Sequence, residues 1–227
     1  MAVKPLIIPT ILVPNAQEAL KRIQLVNGIA SWIQIDVLDH TLVKHTSWHD
    51  PATLKKQPLT AALELHLMVD DPEKYIRVWH RVNACKRVIW HIEAPADHDK
   101  LIRLCRRFGL ETGLAIAPAT PVATLVPWLR KIDTVLLLGV EPGKNGQKLI
   151  RSVIKKIDTL KKLSPKTPLG WDGGLRPADL VGLKKRGVTR FAMGSAIFNQ
   201  NNPASCLQQL QKKLETKSRL LSLKPSK

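Results

Sequence analysis

The chain has 227 residues, 44% of them hydrophobic, and carries 36 Lys and Arg against 18 Asp and Glu, a formal net charge of +18. That length and apolar content exclude a disordered chain and allow one large domain with a well-buried core. No apolar run reaches the roughly 18 residues that a membrane helix needs, and no signal-peptide pattern opens the sequence.

In chain order, short apolar runs at 6–10, 32–37, 62–68, 87–92, 111–116, 134–138, 168–171 and 189–193 read as strands. Between them, amphipathic stretches at 15–27, 50–57, 72–82, 97–108, 121–130, 150–163, 176–186 and 203–214 read as helices. Helix starts carry signals: Asp71-Pro72, Thr120-Pro121 and Arg176-Pro177. Regular β–α alternation implies a parallel sheet, and eight units in this length imply one closed (β/α)₈ barrel, of α/β class. The barrel domain is expected over 1–215, with a basic tail over 216–227.

The basic residues are scattered in pairs such as Lys55-Lys56, Arg106-Arg107 and Lys184-Lys185, without interleaved aromatics. A solvated basic surface accounts for them better than a nucleic-acid site does, so no nucleic-acid partner is expected despite the charge. Cys85, Cys105 and Cys206 are odd in number and lack metal-type spacing, which fits plain thiols in a cytoplasmic protein.

Chemistry in such a barrel belongs at the C-terminal ends of the strands. Here those ends carry Thr10, Asp36, His66, His91 and Asp172 among apolar neighbours. Buried carboxylates are costly unless paired, hydrogen-bonded or metal-bound, so two Asp and two His at one mouth outline a site. The segments "WDGGL" (171–175) and "AMGSAIF" (192–198) follow strands seven and eight, the usual phosphate seat of this fold. Gly173, Gly174 and Gly194 would admit an anion close to the backbone, and Ser195 adds a hydroxyl. The loop "EPGKNGQK" (141–148) brings Gly143, Lys144, Asn145 and Gly146 towards the same mouth.

These segments, with "PTIL" (9–12), "IDVLD" (35–39), "ELHLMVDDPEKYI" (64–76), "HIEA" (91–94) and "APATP" (117–121), make the chain resemble the ribulose-phosphate 3-epimerase family over nearly its whole length. The resemblance implies an isomerase of carbohydrate metabolism in the pentose phosphate pathway. It would interconvert D-ribulose 5-phosphate and D-xylulose 5-phosphate by two-aspartate proton transfer through a metal-stabilised enediolate. By resemblance Asp36 and Asp172 are the proton-transfer groups. Asp36, His66 and Asp172 are also ligands of one divalent ion, zinc, manganese or iron. Thr10, His66, Gly143, Lys144, Asn145, Gly146, Gly173, Gly174, Gly194 and Ser195 are expected to contact the ketose phosphate, and Met68 to pack beside it. A homo-oligomer is a further expectation carried by the resemblance alone.

The chain departs from the family where its fourth metal ligand, a histidine, is replaced by Gln34. An amide oxygen can meet a hard cation but substitutes poorly for imidazole on zinc, so weakened metal binding is expected. His40, His45 and His49 follow in the next loop as replacement ligands or as plain surface residues. Trp171 replaces a small residue and is expected to reshape the barrel, and Asp39 to hold the turn after its strand. Two alternatives stay open: an epimerase of another ketose phosphate, and a non-catalytic sugar-phosphate-binding relative. Retention of Asp36, His66 and Asp172 argues against the second.

Overall fold

The structure, a computed structural model, describes residues 4–55, 57–143 and 147–216. Lys144, Asn145 and Gly146, and the tail beyond residue 216, lie outside the described residues.

Eight parallel strands close into a barrel in sequence order: β1 (Leu6–Ile11), β2 (Trp32–Leu38), β3 (Ala62–Met68), β4 (Cys85–His91), β5 (Glu111–Ile116), β6 (Thr134–Leu138), β7 (Leu169–Asp172) and β8 (Val188–Met193). Pairing of Leu6–Pro9 with Arg190–Met193 completes the ring. The α/β class, the closed barrel and all eight strand positions expected from the apolar runs are therefore present.

Around the strands lie α1 (Ala16–Val26), α2 (Pro51–Lys55), α3 (Pro72–Trp79), α4 (His98–Arg107), α5 (Ile154–Leu163), α6 (Asp179–Lys185), α7 (Ser195–Phe198) and α8 (Pro203–Thr216). Side chains of Asn15, Asp71 and Asp97 accept from amides of the first turns of α1, α3 and α4, which fixes where each begins. The helix expected over 121–130 is corrected to a four-residue 3₁₀ helix, Val122–Leu125, followed by turns. Pro127 is the physical reason: it has no N–H to donate, and its ring blocks the preceding turn.

Strand alternation divides the core into two layers. Ile33, Ile35 and Val37 of β2 and Leu63, Leu65 and Leu67 of β3 face outward into the main core beneath the helices. The barrel interior holds a small apolar cluster, Ile89, Ala115, Leu136 and Leu138, between two polar layers. Gly113 and Gly170 make room for it, since a Cβ would lie 2.7 Å from Thr134 Cγ2 at the first and 2.8 Å from Leu136 Cδ1 at the second.

The lower polar layer is ionic. Glu64 is 1% exposed and accepts from Arg87 Nη1 at 2.7 Å and from Arg190 Nη2. Arg87 also donates from Nε to Glu111 at 2.8 Å, and its guanidinium lies 4.0 Å from the ring centroid of Trp32. A buried carboxylate with two guanidinium donors is satisfied, and this layer closes the barrel beneath the upper one. Trp171 faces outward into the main core, donating from Nε1 to Gly173 O at 3.0 Å. It therefore shapes the contact between barrel and helices and leaves the barrel interior alone.

Candidate active site

The upper polar layer begins with Gln34 and Asp36, two residues apart on β2 and so on one face of it. Asp36 pairs in register with His66 of β3, and Asp172 ends β7. His66 Nδ1 lies 3.1 Å from Asp36 Oδ1 and 3.2 Å from Asp172 Oδ2. One ligand atom from each of these three residues falls within 4.8 Å of the other two, and Asp36 and His66 are buried.

Gln34 is wholly buried at the centre of this group. Its Nε2 donates to Asp36 Oδ1 at 2.7 Å and to Asp172 Oδ2 at 2.8 Å. Its Oε1 is buried without a hydrogen-bond partner. The amide thus turns its nitrogen, not its oxygen, towards the two acids.

A second chain of contacts leads away from His66. Its Nε2 lies 3.0 Å from His91 Nε2, and His91 Nδ1 lies 3.1 Å from Glu93 Oε2. Glu93 Oε1 accepts from the Ala117 amide at 2.9 Å. Burial works to raise the Glu93 carboxyl, yet hydrogen bonds from His91, Thr120 and the Ala117 amide take it down to about 2. Burial lowers His91 and keeps it neutral. An ionised Glu93 therefore accepts from His91 Nδ1–H, and Nε2 of the same ring is left to accept from His66 Nε2–H. That directs Nδ1 of His66 to the acids.

Burial alone would lower His66, but its hydrogen bonds to Asp172 and Asp36, and their charges, outweigh it and raise it to about 10. Burial raises Asp36 to about 6; the His66 hydrogen bond opposes the rise and the charge of Asp172 adds to it. An imidazolium between two acids, braced by an amide, can hold and exchange protons on both sides of a bound molecule.

The acids sit in a cavity of about 840 Å³. Its lining brings together Thr10, Asp36, His66, Met68, Gly143, Asp172, Gly173, Gly174, Gly194 and Ser195, all of them singled out in the sequence. Gly173 has φ +92°, and a Cβ there would lie 2.3 Å from Val140 Cγ2. Lys144, Asn145 and Gly146, expected in the same mouth, lie outside the described residues.

The loop histidines stay away from this centre. His40 and His45 are exposed, and His49 is turned to Ser47 O at 2.6 Å and edge-on to Tyr75. Asp39 accepts from Thr41 Oγ1 and from Tyr75 OH at 2.8 Å, and so holds the turn after β2. Sequence reasoning missed Glu93 and the use of His91. Glu93 follows β4 in a turn, so the available signal was its nearness in sequence to His91 at the strand end.

A closed parallel barrel with acid and imidazole groups gathered at its C-terminal mouth is the architecture of a (β/α)₈-barrel enzyme. Residues 6–198 match the model of the ribulose-phosphate 3 epimerase family, and the chain belongs to that family. It is 29% identical over 224 residues to ribulose-phosphate 3-epimerase of Mycobacterium tuberculosis (strain ATCC 25618 / H37Rv), covering 96% of this chain and 97% of that one. The Candida glabrata enzyme of the same name is 27% identical over 237 residues, covering 95% and 96%. Among solved structures, 3-hexulose-6-phosphate synthase from Salmonella typhimurium aligns with TM-score 0.69 at 16% identity, over 92% of this chain and 98% of that one. Orotidine 5'-monophosphate decarboxylase from Sulfolobus solfataricus aligns with TM-score 0.66 at 14% identity, over 95% and 100%. At such identities these two attest the barrel alone. No helix among the described residues is long and apolar enough to cross a membrane.

Proposed function

We propose that this sugar-phosphate epimerase interconverts D-ribulose 5-phosphate and D-xylulose 5-phosphate by proton transfer at C3. The carrying observation is the placement of Asp36 and Asp172. They come from strands on different sides of the barrel, yet both hydrogen-bond the same Gln34 nitrogen at the floor of one cavity. Inversion at a single carbon needs a base on one face and an acid on the other. In one direction Asp172 takes the C3 proton and Asp36 returns a proton to the opposite face; in the reverse direction the roles exchange.

His66 donates to, and so orients, both acids, while Glu93 and His91 hold its ring. The glycine loops after β7 and β8 seat the phosphate, with Gly173, Gly174 and Gly194 allowing close approach and Ser195 adding a hydroxyl. Gly143 lines the same cavity. The ring of strands and the buried lower layer keep water from entering beneath the acids.

Two carboxylates and an imidazole within 4.8 Å of one another fit a divalent cation, and Asp36, His66 and Asp172 would hold it. When bound, such an ion supplies positive charge beside the oxygens that become negative as the C3 proton leaves. Gln34 does not complete the set as it stands, because it presents N–H groups there.

The cavity of about 840 Å³ is near the upper end of the roughly 300–1,000 Å³ usual for small-molecule sites. That volume admits a pentulose phosphate, and an epimerase of another ketose phosphate is the alternative reading. A cytoplasmic setting is supported by a relative from Oryza sativa subsp. japonica named as the cytoplasmic isoform.

The test is formation of D-xylulose 5-phosphate from D-ribulose 5-phosphate by the purified protein. Asp36→Asn and Asp172→Asn should each cut kcat by about a thousandfold or more while the protein stays folded. Full activity in either variant would contradict the assignment.

A further inference from the structure

We propose that Gln34 is a resident brace that competes with the divalent cation for Asp36 and Asp172, so that this site binds cations more weakly with Gln34 than without its amide. The inference rests on the reading of Asp36, His66 and Asp172 as cation ligands. It adds a role for a residue that the set itself does not need.

The orientation of the amide follows from chemistry. One Gln34 terminal atom lies 2.7 Å from Asp36 Oδ1 and 2.8 Å from Asp172 Oδ2. Were that atom Oε1, it would face two carboxylate oxygens, and the nearby donor, His66 Nδ1 at 3.5 Å, is already shared by those same two acids. As Nε2 it donates one hydrogen to each acid. The other end of the amide offers no competing pull, because Oε1 is buried and has no partner.

A cation between the two acids meets this arrangement as a rival. The same carboxylate oxygens that would ligate it already accept from Gln34, and a cation repels the two N–H groups. To supply its oxygen instead, Gln34 would have to turn its amide over. Its NH₂ would then occupy the place where Oε1 now finds no partner, leaving two buried donors unsatisfied. Either route forfeits two hydrogen bonds to charged acceptors. Binding therefore improves when the amide is removed, the opposite of what removing a ligand does.

The experiment is calorimetric titration of Mn²⁺ and, separately, Zn²⁺ into the full-length protein after chelator treatment, without substrate. Wild type is compared with Gln34→Leu and Gln34→Ala, which differ in the volume they fill, and with His66→Ala. Thermal unfolding selects the variants that fold. The proposal expects at least one folded Gln34 variant to bind Mn²⁺ about tenfold more tightly than wild type or better, and His66→Ala to bind more weakly. Equal or weaker binding by the folded Gln34 variants, with His66→Ala weakened, would overturn the brace and leave the cation site standing. Absence of saturable binding in wild type and Gln34 variants alike, or binding that His66→Ala leaves unchanged, would overturn the cation site and the brace together. Should neither Gln34 variant fold, Gln34→Met decides: a side chain of similar length that neither braces the acids nor offers a hard cation an oxygen binds Mn²⁺ more tightly if the proposal holds and no more tightly if it fails.

Discussion

His66 and His91 meet through their Nε2 atoms at 3.0 Å, with rings stacked at a centroid distance of 5.2 Å and an interplanar angle of 16°. Only one of the two nitrogens can carry the shared proton, and Glu93 decides which by claiming the opposite side of His91. Glu93, in the turn after β4, thereby sets the direction in which the buried His66 imidazole faces. Replacing His91 by Phe removes the acceptor and leaves His66 Nε2–H buried without a partner. We expect a loss of about 1–3 kcal/mol in urea unfolding and a fall in kcat. His91→Gln, which keeps an acceptor oxygen, should recover part of both.

Glu93 ties the same chain to pH. Its carboxyl is held at about 2 in the folded protein against an ordinary 4.5. A depressed acid contributes stability that is fully present above the unfolded value and disappears as pH falls through the folded one. Glu93→Gln should therefore destabilise the protein by about 2 kcal/mol at pH 6–7, allowing for partial solvent screening of this group. The difference should shrink below pH 4.5 and vanish near pH 2. Unfolding free energies of the two proteins across that range would check it, and a gap independent of pH would contradict it.

Much of the fold was legible because strand and helix periods are local. The eight apolar runs matched eight strands, and Asp71-Pro72 marked the start of α3. The stretch 121–130 misled because its apolar spacing is helical while Pro127 forbids the turn that would use it. At the site, Asp36, His66 and Asp172 stood out as costly groups at strand ends. The brace did not, since Gln34 acquires its meaning only from Asp172, which lies 138 residues away in sequence. The ionic layer was hidden likewise: Glu64, Arg87 and Arg190 look like stray charges in apolar runs until the barrel closes around them.

That layer predicts a stability effect remote from the chemistry. Arg87→Met removes one of the two guanidinium donors to Glu64, which is 1% exposed and keeps its charge only with partners. The cost should be about 3–5 kcal/mol in urea unfolding. Restoring neutrality with Glu64→Gln in the same chain should recover part of it, a coupling that a double-mutant cycle measures.

Gly173 gives a prediction for substrate binding. Its φ of +92° disfavours any side chain, and a Cβ would meet Val140 Cγ2 at 2.3 Å. Gly173→Ala should move the loop after β7 and raise KM for the ketose phosphate about tenfold or more. Because Asp172 is the neighbouring residue, kcat should fall as well. Initial-rate kinetics separate the two effects.

The central claim is that Asp36 and Asp172 exchange protons at one carbon from opposite faces. Its most direct test is the incorporation of solvent deuterium at C3 of D-ribulose 5-phosphate, followed by NMR in D₂O with added Mn²⁺ or Zn²⁺. The wild-type protein should label C3 in substrate and epimer. Asp36→Asn and Asp172→Asn should both fail to give labelled epimer. No exchange at C3 in the folded wild-type protein with either metal would contradict the account.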